Sequence, residues 1–475
     1  MQYVMAVLLC CLLLASIAPR ALATEALEPE ELLASSARHF PGILESMAQR
    51  RAAEGRVTEA QGAFDLVFSA DSLNWARGFY DGTVIQGGAS RALRPFGASV
   101  YSRYSVSDGT FPIYQDENFT NTGGDLKVGV LFSLLRDRDI DARRFAEMDS
   151  ELALNQADLE LLLVRVGVQQ RALAAYWNWV AVGQQLAVFR NLLDIALKRE
   201  AGLESEVRAG RRAQIFLTEN RQNITRRQSL VAQAERDLRL AANRLSFFYR
   251  DENGQPLVPE EGRLPPSESI DDVSDPDGIP AVEVDSVLSR RPELNILETA
   301  MQRASRQVEL SRNELLPRLD LNFELAEPFG RVGEGGPSRD TRDAIVGLTF
   351  SVPLERRAAK GRLSQAQARL DALQQQRRQQ EDMIELELKN ILLELNVARR
   401  LMQLAALEVE QSETMRRAEQ RRFEQGASDF FVVNVREETA ADARVRYYDA
   451  YRATQLAQAE FHAATVNLTQ LGLKE

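Results

Sequence analysis

The sequence predicts a mainly α fold with a membrane β part, in which long helical hairpins alternate with four short strands. Three observations carry that expectation. Two proline-free stretches repeat apolar residues at heptad spacing over many turns, the segments between them switch to a period of two, and no catalytic constellation accompanies either. The 475 residues contain only 2 His and 2 Cys, so most metal sites and nucleophile–base dyads are excluded; no cofactor is expected and no enzyme activity. A net charge of −11 argues against a nucleic-acid partner, whose footprint would be a clustered basic surface.

The N-terminus comes first. Val4 to Ala18 is a 15-residue apolar run, short for a membrane-spanning helix, followed by the small-x-small pattern Ala21-Leu22-Ala23. Residues 1–23 therefore read as a secretory signal cleaved after Ala23. No Lys or Arg precedes the run, and an uncleaved N-terminal anchor is the alternative. Cys10 and Cys11 both lie inside it, so cleavage leaves a chain without thiols, suited to an oxidising compartment. No later run of 18 apolar residues occurs, so helices are not the expected means of crossing a membrane.

The first helical stretch, about Arg136 to Ala209, repeats Leu152, Leu159, Val166, Leu173, Val180 and Ala187 every seventh residue. The second, about Arg356 to Gln425, alternates spacings of four and three through Ile384, Leu388, Ile391, Leu395, Ala398, Met402, Ala405 and Val409. Such seams are those of coiled coils. Gly210 and Gly426 follow the two stretches, and a returning helix follows each glycine: Val231, Ala234, Leu238, Ala241, Leu245 and Phe248 in one, about Phe430 to Leu471 in the other. Glycine is the expected left-handed stop, so each pair reads as a helical hairpin. At ~1.5 Å per residue such a helix extends roughly 100 Å, which suggests a rod rather than a globular core.

Period two marks the strands. Leu319, Leu321, Phe323 and Leu325 alternate with Arg318, Asp320, Asn322 and Glu324, and Ala344, Val346, Leu348, Phe350 and Val352 with Gly347, Thr349 and Ser351. Leu126, Val128, Val130, Phe132 and Leu134 do the same against Lys127, Gly129 and Ser133; Phe64, Leu66 and Phe68 open a fourth candidate. Gln61 to Leu135 also holds 12 of the 33 aromatic residues, an enrichment that suits the girdles of a membrane barrel. A soluble sheet over a core is the competing reading, but the neighbouring helices offer no core for it to cover.

An internal duplication organises the whole. Val128-Gly129-Val130-Leu131-Phe132-Ser133 is echoed by Val346-Gly347-Leu348-Thr349-Phe350-Ser351 at an offset of 218 residues (346 − 128), and the hairpin glycines are offset by 216 (426 − 210). The chain reads as a first repeat at 24–253, a Pro, Gly and Asp-rich linker at 254–280, and a second repeat at 281–475. Within the second repeat, Leu288-Ser289-Arg290-Arg291-Pro292-Glu293-Leu294 and Glu314-Leu315-Leu316-Pro317-Arg318-Leu319-Asp320-Leu321 closely resemble signatures of the outer-membrane efflux protein family, the TolC-like channels. The resemblance implies a homotrimer whose subunits each give four strands to a 12-stranded outer-membrane β-barrel. The helices would continue it as a coiled-coil tunnel through the periplasm, toward an adaptor protein and an inner-membrane transporter.

Elementary physics supports the same assembly. Lipid tolerates no open sheet edge, and about eight strands merely surround their own side chains, so four strands need partners and three copies leave a wet lumen. Lys127, Arg318, Asp320, Asn322 and Glu324 would line that lumen, with the alternate apolar residues against lipid. The resemblance places adaptor docking and the periplasmic entrance at the hairpin tips, here Ala209, Gly210, Arg211 and Arg212, and Gly426, Ala427, Ser428 and Asp429. Family members commonly have a small apolar pair around the first-tip glycine, where this chain has arginines. They also place carboxylates where it has Val432 and Val435, so an acidic gate does not carry over to those positions. Asp429 is open to two readings, a helix cap or an acidic ring. The charge-rich stretches 374–382 and 416–422 read as solvated coiled-coil faces, and three Asn-x-Thr triplets as chance. The expected function is a passive exit duct of a tripartite efflux or type I secretion system; a periplasmic coiled-coil adaptor or scaffold without a pore is the alternative.

Overall fold

The computed structural model describes residues 25–112, 118–267, 283–332 and 341–474. The expected signal at 1–23 and residues 268–280 of the expected linker lie outside them. In chain order the main elements are α1 (Pro29–His39), α2 (Pro41–Gln61), β1 (Val67–Asn74), β2 (Thr83–Ala92), β3 (Ser99–Asp108) and β4 (Asp125–Ser133). There follow α3 (Ala142–Arg208), α4 (Gln214–Leu245), α5 (Val284–Arg290), α6 (Pro292–Asn313), β5 (Arg318–Pro328), β6 (Asp343–Ser351), α7 (Arg357–Glu424) and α8 (Phe430–Ala464).

Local chemistry sets the boundaries. Pro29 and Pro292 open α1 and α6 at the first helical turn, where the missing N–H has no partner to lose, and acidic residues follow in each first turn. Gly210 (φ +66°) and Gly426 (φ +73°) are left-handed stops after α3 and α7. Each is closed by backbone bonds, Arg211 N to Glu206 O at 2.9 Å and Ala427 N to Arg422 O at 2.8 Å. No side chain crowds either glycine, so the backbone angle alone requires it.

The chain forms two compact units, and neither follows the repeats: one is 1–44, 164–290 and 385–475, the other 45–163 and 291–384. In the first, the heptad positions are buried as expected: Val166, Leu173 and Val180 on α3, Ala234, Leu238, Ala241 and Leu245 on α4, Leu388, Ile391 and Leu395 on α7. Ala187, the last of the α3 series, is exposed. One window of α3 is long and apolar enough to cross a membrane by length and composition. Tyr176 donates to the Leu27 carbonyl at 2.7 Å, tying the segment before α1 into this core beside Trp179.

The second unit holds the sheet, and it corrects the expected strand count. Among the described residues it contains six strands, not four, in an antiparallel meander β1-β2-β3-β4-β5-β6. Phe64, expected to open the first strand, lies instead in a 3-10 turn at Gly62–Phe64, and β1 begins at Val67. β2 (TVIQGGASRA) and β3 (SVYSRYSVSD) are the additions. Their two faces differ little in polarity, because Gly, Ala and Ser occupy much of both, so the period-two contrast that reveals a strand is weak. α2, α3, α6 and α7 all join the sheet at one end, where the tight β2–β3 turn also sits; at the other end β1 leads into β2, β3 into β4 and β5 into β6.

Candidate functional site

The pleat and the registers sort the strand residues into two faces. One carries Ser69, Asp71, Gln86, Ser90, Tyr101, Arg103, Ser105, Lys127, Ser133, Arg318, Asp320, Asn322, Glu324 and Thr349. The other carries Phe68, Ala70, Ile85, Ala89, Val100, Val106, Leu126, Val128, Val130, Phe132, Leu319, Leu321, Phe323, Leu325, Val346, Leu348 and Phe350, with Ser72, Ser102, Tyr104 and Glu327 among its polar members. All five residues expected to line a lumen thus share one polar face. The apolar face has no protein over much of its area, since Val128, Phe323, Leu325, Val346, Leu348 and Phe350 are exposed. Phe68, Phe132 and Phe350 each stand one residue from the helix end of their own strand.

The polar face is wired across strands. Asp320, 3% exposed, pairs with Arg318 on the same strand and accepts from Ser133 Oγ at 3.3 Å. Tyr101 on β3 reaches over β4 to donate to Glu324 Oε2 on β5 at 2.6 Å. Gly129 makes that reach possible, because a Cβ there would stand 2.3 Å from the Tyr101 ring. Lys127 lies 3.9 Å from Asp125 and beside Arg103 on the neighbouring strand.

The β3–β4 loop folds back over this same face. Phe111 and Phe119 pack on Val84, which points to the polar side, with Trp75 against them; ring centroids are 5.3 Å apart for Trp75–Phe111 and 5.0 Å for Phe111–Phe119. Two reciprocal bonds of 2.9 Å, Ser107 N to Thr120 Oγ1 and Thr120 N to Ser107 Oγ, hold the returning chain. Gly82 has no room for a side chain under the Phe111 ring. Sequence reading registered these aromatics only as an enrichment; nothing local reveals that the loop turns toward the polar side.

At the tips the two arginines differ. Arg212 donates to Glu206 Oε2 at 2.6 Å and lies 5.5 and 5.1 Å over the rings of Phe216 and Phe423, so it fastens the first tip to the second hairpin. Arg211 is exposed, and among the described residues its side chain makes no hydrogen bond or ion pair. Behind the tips Leu203, Leu217 and Phe430 form a small core, with Phe216 and Phe423 packed on it. Asp429 is the N-cap of α8, accepting from Phe431 N at 3.3 Å, which is the capping alternative of the two. Ser428 donates to Glu419, itself buried and paired with Arg422, so the stretch 416–422 is not uniformly a solvated face. Ala209, Gly210, Gly426 and Ala427 are exposed.

A buried ionic cluster that sequence reading missed lies further along the hairpins. Glu437 on α8 is paired with Arg199 of α3 and, at 3.0 Å, with Arg227 of α4; the Arg227 and Glu437 side chains are each 1% exposed. Arg227 also donates to the Leu192 carbonyl at 2.7 Å, and Arg199 to Asn434 Oδ1 at 3.0 Å. Burial holds the Arg227 guanidinium below its ordinary pKa, and the Glu437 carboxylate opposes that shift. A signal did exist. Leu217, Asn220, Ile224 and Arg227 continue the α4 seam upstream at spacings of three and four, so two polar residues occupy core positions. Among the described residues no group of three or more His, Cys, Asp or Glu could hold a metal ion.

Residues 284–471 match the sequence model of the outer membrane efflux protein family. No curated protein matches the sequence. Among solved structures, the outer-membrane channel OprN is similar with TM-score 0.62 and 16% identity over 92% of this chain and 90% of that one. The outer membrane protein VceC of Vibrio cholerae gives 0.63 and 15% over 92% and 95%. The open state of the MtrE outer membrane channel of Neisseria gonorrhoeae gives 0.64 and 14% over 94% and 89%. At these identities the likeness is one of fold.

Proposed function

With residues 284–471 inside the outer membrane efflux protein family and a channel fold shared over nearly its whole length, we propose that this protein is an outer-membrane exit duct. In this reading it passively carries substrates delivered by an inner-membrane transporter through an adaptor, and extends from the outer membrane into the periplasm. One observation carries the reading: a sheet with one polar and one bare apolar face, open at both edges. Such a sheet suits lipid on one side and water on the other, and a pore-less scaffold has no use for it.

The duct is a homotrimer. Besides its buried seam, α7 has a second apolar stripe, Leu386, Leu393, Val397, Leu401 and Leu404, all exposed in the single chain, which supports cover by a neighbouring subunit. Lys127, Arg318, Asp320, Asn322 and Glu324 line the lumen, and the two tips form the entrance and the adaptor-docking surface. There Arg211 is the cation free to meet a partner, while Arg212 is engaged within the chain. The test is reconstitution. Protein extracted from outer membranes should crosslink as a trimer and give stepwise conductance in planar bilayers; a water-soluble monomer without conductance would sink the reading.

A further inference from the structure

We propose that a cavity walled by α3, α4 and the chain at Val258 and Pro259 binds a small, mainly apolar, uncharged molecule that carries a hydrogen-bond acceptor. The proposal goes beyond the exit-duct reading and does not depend on it, because every residue it uses lies within Val164–Arg290 of one compact unit. The cavity holds about 370 Å³. That volume suits a small ligand, and such sites are mostly apolar with a few placed polar groups.

The buried side of the cavity is built from the helices. Trp179 and Leu186 of α3 and Leu238 and Ala242 of α4 line it, and none is more than 6% exposed. Trp179 is 0% exposed, yet its indole Nε1 has no hydrogen-bond partner among the described residues. A buried indole N–H ordinarily finds one, and buried donors left unmet are rare. Tyr176, one turn earlier, shows the ordinary outcome: it is buried too and donates to the Leu27 carbonyl at 2.7 Å. Around Trp179 the backbone carbonyls are taken by the helices themselves, and Leu186, Leu238 and Ala242 offer no acceptor. The acceptor is therefore left to an occupant of the cavity that Trp179 lines. Water alone is a poor occupant, since a buried water uses about three polar partners and these four side chains supply one.

The outer wall is fixed on both sides of Val258 and Pro259. Leu257 N bonds the Tyr249 carbonyl at 2.9 Å, and Gln184 Nε2 bonds the Pro265 carbonyl at 2.7 Å. Leu264 packs so closely on α3 that a Cβ at Gly183 would stand 2.5 Å from it. At the mouth, Arg190 is paired with Glu261 and, at 3.1 Å, with Glu235. The exposed Arg239 lines it as well, so two cations stand with two carboxylates and the opening favours neither sign of charge. An uncharged ligand follows, apolar against Leu186, Leu238, Ala242 and Val258, with a carbonyl or ether oxygen for the indole N–H.

The chain has 3 Trp, so the test carries its own controls. Full-length protein in lipid nanodiscs is labelled with 5-fluorotryptophan, and its fluorine NMR signals are assigned with the Trp75→Phe, Trp177→Phe and Trp179→Phe variants. Cyclohexanone is titrated against methylcyclohexane, a ring of similar size without an acceptor. The Trp179 signal should shift saturably with cyclohexanone, which should bind about fivefold tighter than methylcyclohexane, while Trp75 and Trp177 stay in place. Ala242→Leu fills the buried side and should remove the shift. The Trp75 and Trp177 signals report whether that variant is folded; if it is not, Val258→Phe at a half-exposed position fills the outer side instead. No saturable shift at Trp179, as for a cavity that holds water only, would overturn the proposal, and so would equal affinity for the two rings. Parallel shifts at all three tryptophans would mean partition into lipid and would overturn it as well. None of these outcomes bears on the conductance that tests the duct.

Discussion

Glu437 stands between two arginines that belong to the other hairpin, and it shows how much a single residue can tie together. Arg199 and Arg227 reach it from α3 and α4, while α8 carries the carboxylate, so one buried anion joins three helices. Removing the anion leaves Arg227 buried and uncompensated, which typically costs about 3–5 kcal/mol. Glu437→Ala should therefore open the helices around 192–227 and 430–441 to hydrogen exchange while strands β2 to β5 keep their protection; unchanged exchange at Arg227 and its neighbours would refute this role. Parts of this scale are open to sequence reading. Gly210 and Gly426 are legible because a left-handed stop needs glycine, and Asp429 because a cap needs a short acceptor. That Arg212 is occupied and Arg211 free is not legible, since it depends on Phe423, which is more than 200 residues away in the chain.

Among elements, the helices announced themselves and two of the six described strands did not. A seam such as Ile384, Leu388, Ile391 and Leu395 is apolar on one side only, so its period survives any context, and all four residues are buried. β4, β5 and β6 alternate between charged or small and large apolar residues, and each lies where its alternation places it. β2 and β3 are strands because of their neighbours: hydrogen bonds to β1 and β4 hold chains that Gly, Ser and Ala leave undecided. The loop after β3 is likewise placed by tertiary contact, through Phe111 and Phe119 on Val84. Phe111→Ala removes a ring that Trp75 and Phe119 both touch, at about 3 kcal/mol of local stability. If the proposed duct is reconstituted in planar bilayers and the loop narrows it, this variant should conduct more than the unaltered protein; equal conductance would remove the loop from the permeation path.

At the scale of the whole molecule, the proposed trimer would cover two features that the single chain leaves without a partner. The sheet is open at β1 and β6, and α7 exposes the stripe from Leu386 to Leu404. Leu393→Glu with Leu401→Glu alters only exposed positions, so the monomer's stability should change by less than about 0.5 kcal/mol per site, yet heat-resistant trimer on gels should be lost. Trimer surviving both changes would mean that the stripe faces something other than a subunit. The duplication is a reading of matching strands and glycines at nearly constant offsets, and among the described residues the first copy carries four strands where the second carries two. The compact units are each assembled from both repeats, and no local pattern foretells that. By itself the sequence determined the helices, their glycine stops, three of the strands, the two-faced chemistry of the sheet and the resemblance to outer-membrane channels. Those features depend on period, backbone angle and polarity, which are properties of neighbouring residues. Only the tertiary structure decided the sixfold strand count, the loop over the polar face and the buried Arg199–Glu437–Arg227 cluster, because each is stabilised by residues that meet across dozens to hundreds of positions.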